Sequence, residues 1–209
     1  MHKKIDWKII HTTSVMGEEK LLVLATQAQL VEKLDGDVAE LGSYKGGSAI
    51  LLAQVLPHKK VHAFESFKGL TNLSTQKDNI RLRDDERGHM PSDFAIPDKE
   101  LQKKIVRRLA KYNIQLHVGL FSEQARHVSG QRFCLAHFDG DTYQSAHEFL
   151  EFFYPRLVNG GRLLFDDFGS IATPGVAHAM EDFFGKRKHL QVLPTQQAIF
   201  VKNYNKPLY

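Results

Sequence analysis

Residues 132–169, RFCLAHFDGDTYQSAHEFLEFFYPRLVNGGRLLFDDFG, decide how this chain folds. They read as strand, acidic turn, amphipathic helix, glycine turn, strand and second acidic turn. Two apolar runs, Phe133 to Phe138 and Arg162 to Phe165, each end in aspartates: Asp139 with Asp141, then Asp166 with Asp167. Parallel strands joined by a helix bring their carboxyl ends to one rim of a sheet, where α/β proteins bind ligands. Four carboxylates at that rim would make an oxygen-rich site for a divalent cation. Single aspartates in such places also cap helices and populate loops.

Working outward, apolar residues at Leu21, Leu24, Ala28, Val31 and Leu34 mark one face of a helix within Val15 to Leu34, which Gly36 would stop. Asp37 to Leu41 is a short strand and Ala49 to Leu56 a helix closed by Pro57. Val61 to Phe64 is a second strand that ends at Glu65. Ser66 to Pro97 is polar and broken by glycine and proline, so it is expected to be a lid. Asp98 caps a basic helix, and Ile114 to Val118 is a third strand. Thr173 and Pro174 open a last helix, and Leu190 to Leu193 with Ala198 to Val201 form a closing hairpin. Alternating strands and helices predict a mostly parallel α/β sheet with helices on both faces.

At 209 residues the chain fits a single domain, 1–209, with an N-terminal helical segment at 1–36 and the lid-like insertion at 66–97. A net charge of +4, from 28 basic and 24 acidic residues, argues against nucleic acid as a partner. No apolar run is long enough for a membrane span or a secretory signal, and the one cysteine, Cys134, lies in an apolar strand. The expectation is a cytoplasmic protein with a buried thiol.

The turn Glu40-Leu41-Gly42-Ser43-Tyr44-Lys45-Gly46-Gly47-Ser48 follows the first strand and opens a helix, a context in which glycines let a ligand approach the backbone. Its spacing fits neither the dinucleotide fingerprint nor the P-loop. Glu65, at the end of the second strand, stands where a carboxylate accepts hydrogen bonds from ribose hydroxyls. The ligand then carries a ribose without a pyrophosphate. Glu40 would favour a positively charged group such as the amine and sulfonium of S-adenosylmethionine.

Six blocks together resemble the macrocin O-methyltransferase family, S-adenosylmethionine-dependent enzymes acting on sugar hydroxyls. They are VAELGSYKGGSA from Val38, HAFESFKGL from His62, HVGLFSE from His117, HFDGDTYQSA from His137, LVNGGRLLFDDFG from Leu157 and PGVAHAMEDFF from Pro174. The resemblance implies a Rossmann-like class I methyltransferase fold with a seven-stranded sheet. It implies that Glu40, Gly42, Ser43 and Ser48 border the methionine part of the cofactor and that Glu65, with Ser66 beside it, holds the ribose. Phe121 would lie near the adenine, and Asp139, also at the cofactor, would bind magnesium with Asp166 and Asp167. The family's FDSFEGLP block reads FESFKGLT here, so glutamate replaces the ribose-binding aspartate and Lys68 replaces an acid. Homo-oligomers are common in the family, so a homodimer is expected.

The chemistry implied is magnesium-assisted transfer of a methyl group to a hydroxyl of a sugar or another small polyhydroxylated acceptor. Asp141, two residues after Asp139, is the candidate general base, with a second metal ligand or a helix cap as its alternatives. Catechol-type methyltransferases place a lysine where Thr142 stands, which argues against a catechol acceptor. His137 and His147 are read as core and helix-surface residues rather than catalysts, and His89 as the histidine better placed to touch an acceptor. Metal-independent methyl transfer and a non-catalytic nucleoside-binding module stay open; a nicotinamide-dependent oxidoreductase is disfavoured by the glycine spacing.

Overall fold

A computed structural model describes residues 5–78, 90–185 and 190–203. Its strands are β1 (Asp37–Leu41), β2 (Val61–Glu65), β3 (Ile114–Val118), β4 (Phe133–Phe138), β5 (Leu157–Phe165), β6 (Leu190–Leu193) and β7 (Gln197–Val201). They form one sheet in the order β3-β2-β1-β4-β5-β7-β6. The first five run parallel, and β7 pairs antiparallel with both β5 and β6. This is the mostly parallel sheet with a closing hairpin read from the sequence. The chain starts at the centre, steps outward through β2 and β3, then returns to β4, so strand order reverses between β1 and β4 and opens a crevice there.

The helices are α1 (Trp7–Thr13), α2 (Glu18–Leu30), α3 (Gly47–Val55), α4 (Lys99–Leu109), the single turn α5 (Phe121–Gln124), α6 (Tyr143–Arg156) and α7 (Pro174–Phe184). Side chains alternate across each strand, so two cores form. Val38, Cys134 and Leu164 pack with α1 to α4. Ala39, Phe133 and Phe165 pack with α6 and α7. On α6 the buried face is Ala146, Phe149, Leu150 and Phe153, and Phe149 meets Phe138 and Phe165 with ring centroids 5.3 and 5.4 Å apart. Each buried phenylalanine contributes about 2–3 kcal/mol by burial, which fixes β4 and β5 side by side. Among the described residues no helix is long and apolar enough to cross a membrane.

Four local readings change. α1 is a separate helix, capped by the Asp6 side chain accepting from the Ile9 amide. α2 ends at Leu30, so Gly36 is not its cap. Gly36 instead has φ +101° and lies where a Cβ would meet the Arg132 carbonyl oxygen at 2.8 Å, at the entry to β1. Gly160 and Gly161, read as a turn before the strand, lie inside β5, where they exchange backbone hydrogen bonds with Lys202 at 2.8 and 2.9 Å. Pairing beyond the β7 end converts that glycine turn into strand. Thr173 precedes α7 as expected, but its hydroxyl donates to the Asp167 carbonyl rather than capping the helix.

Candidate active site

The sheet ladder continues one residue past the strand ends. Gly42 N–H donates to the Phe64 carbonyl, Asp139 N–H to that of Leu41 and Asp166 N–H to that of Phe138, at 3.1, 2.9 and 2.8 Å. Asp139 and Asp166 therefore stand abreast on the carboxyl rim. A cavity of about 330 Å³ opens above them. One wall includes Gly42, Glu65, Ser66 and Phe121; the other includes Asp139, Asp141, Asp166 and Asp167. Of the seven described non-glycine residues with positive φ, five (Tyr44, Asn72, Phe94, Asp141 and Asp167) line this cavity. Backbone strain gathered in one place marks a site that the surrounding fold holds in shape.

Asp139, Asp166 and Asp167 each offer a carboxylate oxygen, and the three lie within 4.8 Å of one another. Burial, followed by mutual repulsion, raises the Asp139 carboxyl well above its ordinary range and raises that of Asp166 as well. Asp166 is 2% exposed, and its buried Oδ1 has no hydrogen-bond partner. The Lys20 ammonium of α2 reaches into the cluster, 2.6 Å from Asp167 Oδ1 and 3.2 Å from Asp166 Oδ1. Three hard oxygen donors, with one ammonium drawn in against two of the carboxylates, fit a site built for a cation such as magnesium.

Asp141 lies beside this triad with φ +61° and lines the same cavity. Burial first, then the charges of Asp167 and Asp166, push its carboxyl well above the usual range. The helix-cap alternative for Asp141 falls away, because Thr142 caps α6, its hydroxyl accepting from the Ser145 amide.

On the opposite wall Glu65 is held by two amides: Oε2 accepts from Tyr44 N–H and Oε1 from Phe67 N–H, both at 2.6 Å. Burial raises its carboxyl above the ordinary value. Each oxygen keeps a lone pair for a ligand hydroxyl. Phe121 stands edge-on to Phe64 at 5.1 Å between centroids. Glu40, Ser43 and Ser48 are buried and do not line the cavity. Glu40 accepts from Ser43 Oγ at 2.6 Å and meets His137 Nδ1 at 3.1 Å. The turn glycines serve packing: a Cβ would fall 1.9 Å from the Asp139 carbonyl oxygen at Gly42, 2.5 Å from Leu109 at Gly46 and 2.5 Å from the Ser14 amide at Gly47.

The segment after β2 contributes Leu70, Thr71, Asn72 and Phe94 to the cavity. It is moored to α6 by Asp78, whose Oδ1 accepts from Tyr143 N–H at 2.8 Å. His147 lies 3.6 Å from Glu151 along α6 and does not line the cavity. His89 lies outside the described residues, as do Arg81, Arg83, Asp84, Asp85, Glu86 and Arg87. Lys20 is the residue that sequence reasoning missed. Its signal was the i, i+4 spacing to Leu24, which puts it at the border of the buried face of α2.

The chain matches the family described as Macrocin-O-methyltransferase (TylF) over residues 2–196. It is 25% identical over 189 residues to 8-demethyl-8-(2,3-dimethoxy-alpha-L-rhamnosyl)-tetracenomycin-C 4'-O-methyltransferase of Streptomyces olivaceus, covering 86% of this chain and 71% of that protein. The crystal structure of the calicheamicin methyltransferase CalS11 superimposes with a TM-score of 0.72 at 20% identity, covering 93% of this chain and 89% of that one. The O-methyltransferase TomG of Streptomyces achromogenes, solved in complex with SAM, follows at TM-score 0.61 and 15% identity, with 97% and 92% covered. With the match spanning residues 2–196, nearly the whole sequence, the chain belongs to the macrocin O-methyltransferase family.

Proposed function

We propose that this O-methyltransferase methylates a hydroxyl of a sugar carried by a small glycosylated metabolite, with S-adenosylmethionine as donor and a magnesium ion held by Asp139, Asp166 and Asp167. The observation that carries the reading is one cavity with two unlike walls, an amide-anchored carboxylate at Glu65 facing a carboxylate triad. Bound there, the donor supplies an electrophilic sulfonium methyl, and the cation supplies the positive charge that lowers the pKa of an alcohol. Glu65 fixes the ribose hydroxyls, and Phe121 offers a ring face to the adenine.

Asp141 takes the acceptor's proton. It lines the cavity beside the triad, where the hydroxyl would be held. With the donor bound, its sulfonium would give up the methyl group to the hydroxyl oxygen as the homocysteine thioether leaves, and Asp141 would hold the proton released. Leu70, Thr71, Phe94, Val15 and Met16 shield the reacting atoms from water and close the acceptor side, the role of a lid. Two exposed leucines of α2, Leu22 and Leu30, support a homo-oligomer, and the buried thiol of Cys134 supports a cytoplasmic location.

The test is incubation with labelled S-adenosylmethionine and a panel of deoxysugar glycosides and their aglycones, with magnesium or with chelator. The proposal expects a methyl ether on a sugar hydroxyl only when magnesium is present. Methylation confined to an aglycone would contradict the acceptor assignment. The Lys20 ammonium among the carboxylates favours a second reading, methyl transfer without a metal, and undiminished turnover in chelator would select it.

A further inference from the structure

The triad already has one cation beside it. Lys20 Nζ hydrogen-bonds Asp167 at 2.6 Å and pairs with Asp166 at 3.2 Å, through the Oδ1 atom that has no hydrogen bond of its own. The lysine is brought there by a well-docked helix. Gln27, two turns further along α2, accepts from Arg162 of β5 at 2.7 Å, and the Lys20 carbonyl accepts from Gln197 of β7 at 3.4 Å. Leu21 and Leu24 beside it are fully buried. The ammonium is the mobile end of a side chain whose root is fixed.

A divalent ion bound to these carboxylates would sit about 2.0–2.6 Å from each oxygen. An ammonium 2.6 Å from one of those oxygens would then stand within a few ångström of the ion, with like charge and in competition for the same lone pairs. The two cations cannot keep these contacts together.

We propose that Lys20 is a tethered competitor for the metal site: its ammonium and a divalent ion exclude one another at Asp166 and Asp167, so metal loading frees the Lys20 side chain. This rests on the metal reading above. Lys20 also lines the acceptor cavity together with Val15, Met16 and Gly17, which precede it on the same segment. A freed ammonium is therefore delivered into the space that an acceptor enters, and metal and N-terminal segment become linked sites whose coupling is reciprocal.

The test is titration of the full-length protein with manganese, followed by calorimetry and by electron paramagnetic resonance of the free ion, for the wild type and Lys20→Met. The competitor's removal should tighten manganese binding roughly tenfold, within the usual span of coupling between sites. In the wild type, acetylation of Lys20 followed by mass spectrometry should rise when manganese is added, which decides the matter even if Lys20→Met folds poorly. Binding in Lys20→Met alone would support the competition in its strongest form. Equal or weaker binding by Lys20→Met, or Lys20 labelling indifferent to manganese, would overturn the competition and leave the metal site standing. No binding by either chain would overturn both.

Discussion

His137 and Glu40 are paired residues on adjacent strands, and their side chains meet at 3.1 Å with no exposure to solvent. A carboxylate accepts only, so Nδ1 is the nitrogen assigned the proton. The pair joins β1, which leads into Gly42, to β4, which leads into Asp139. His137→Ala is expected to leave Glu40 buried with Ser43 as its remaining side-chain partner, costing about 3 kcal/mol of stability. Urea unfolding measures this, and an unchanged midpoint would mean the pair is dispensable.

Gly42 is a sharper test of the rim. It has φ +90°, and a Cβ there would fall 1.9 Å from a backbone oxygen that cannot rotate away. Gly42→Ala should cost about 2–4 kcal/mol from overpacking and left-handed strain together. Gly169→Ala, at φ +82° with nothing within 4 Å, should cost only about 1–2 kcal/mol. Thermal melts of the two variants compare them directly; similar losses would show that conformation, and not contact with β4, sets the requirement at Gly42.

The acidic rim was legible because a strand has period two and parallel strands share an end. Asp139, Asp166 and Asp167 could be placed together from the apolar runs before them. Other parts were not legible, for identifiable reasons. Lys20 is 147 residues from Asp167 in sequence, and only the docking of α2 brings them together. The Glu40–His137 pair depends on the β1–β4 register, which single strands do not encode. At Gly42, Gly46 and Gly47 the tight neighbours Asp139, Leu109 and Ser14 come from other elements and were not legible, and Gly42 also lines the cavity. The glycine pair at Gly160 and Gly161 passed for a turn because its partner, Lys202, lies beyond the hairpin.

A histidine cluster beneath the sheet sets an acid limit on stability. His62 Nε2 lies 3.1 Å from Asp37, His62 Nδ1 lies 3.2 Å from His117 Nε2, and His117 stacks on Phe64 at 4.6 Å. Burial, then the neighbouring His62 and His127, lower His117 to about 4; burial also lowers His62. Between about pH 4 and 6.5 the unfolded chain binds more protons than the folded one, so stability rises with pH and levels off above 6.5. After solvent screening the His117 contribution is about 1–2 kcal/mol. Melting temperatures across that range should climb in the wild type and climb less in His117→Phe; parallel curves would assign the acid limit elsewhere.

Divalent cations should stabilise the fold through the triad. Magnesium or manganese in excess is expected to raise the melting temperature, by about 2–4 °C for each kcal/mol of binding energy gained. Asp166→Ala should abolish that rise, and chelator added with the metal should abolish it in the wild type. A rise that persists in Asp166→Ala would place the ion at another site.

One cavity holds a nucleoside subsite at Glu65 and a separate cation subsite at Asp166 in the function proposed above. Calorimetry with S-adenosylhomocysteine on Glu65→Gln and Asp166→Ala tests it most directly, paired with turnover of each variant. Glu65→Gln should weaken binding about 10- to 100-fold, the loss of a charged hydrogen bond. Asp166→Ala should bind the ligand as the wild type does and no longer turn over. Equal loss of affinity in both variants, or loss in Asp166→Ala alone, would contradict it.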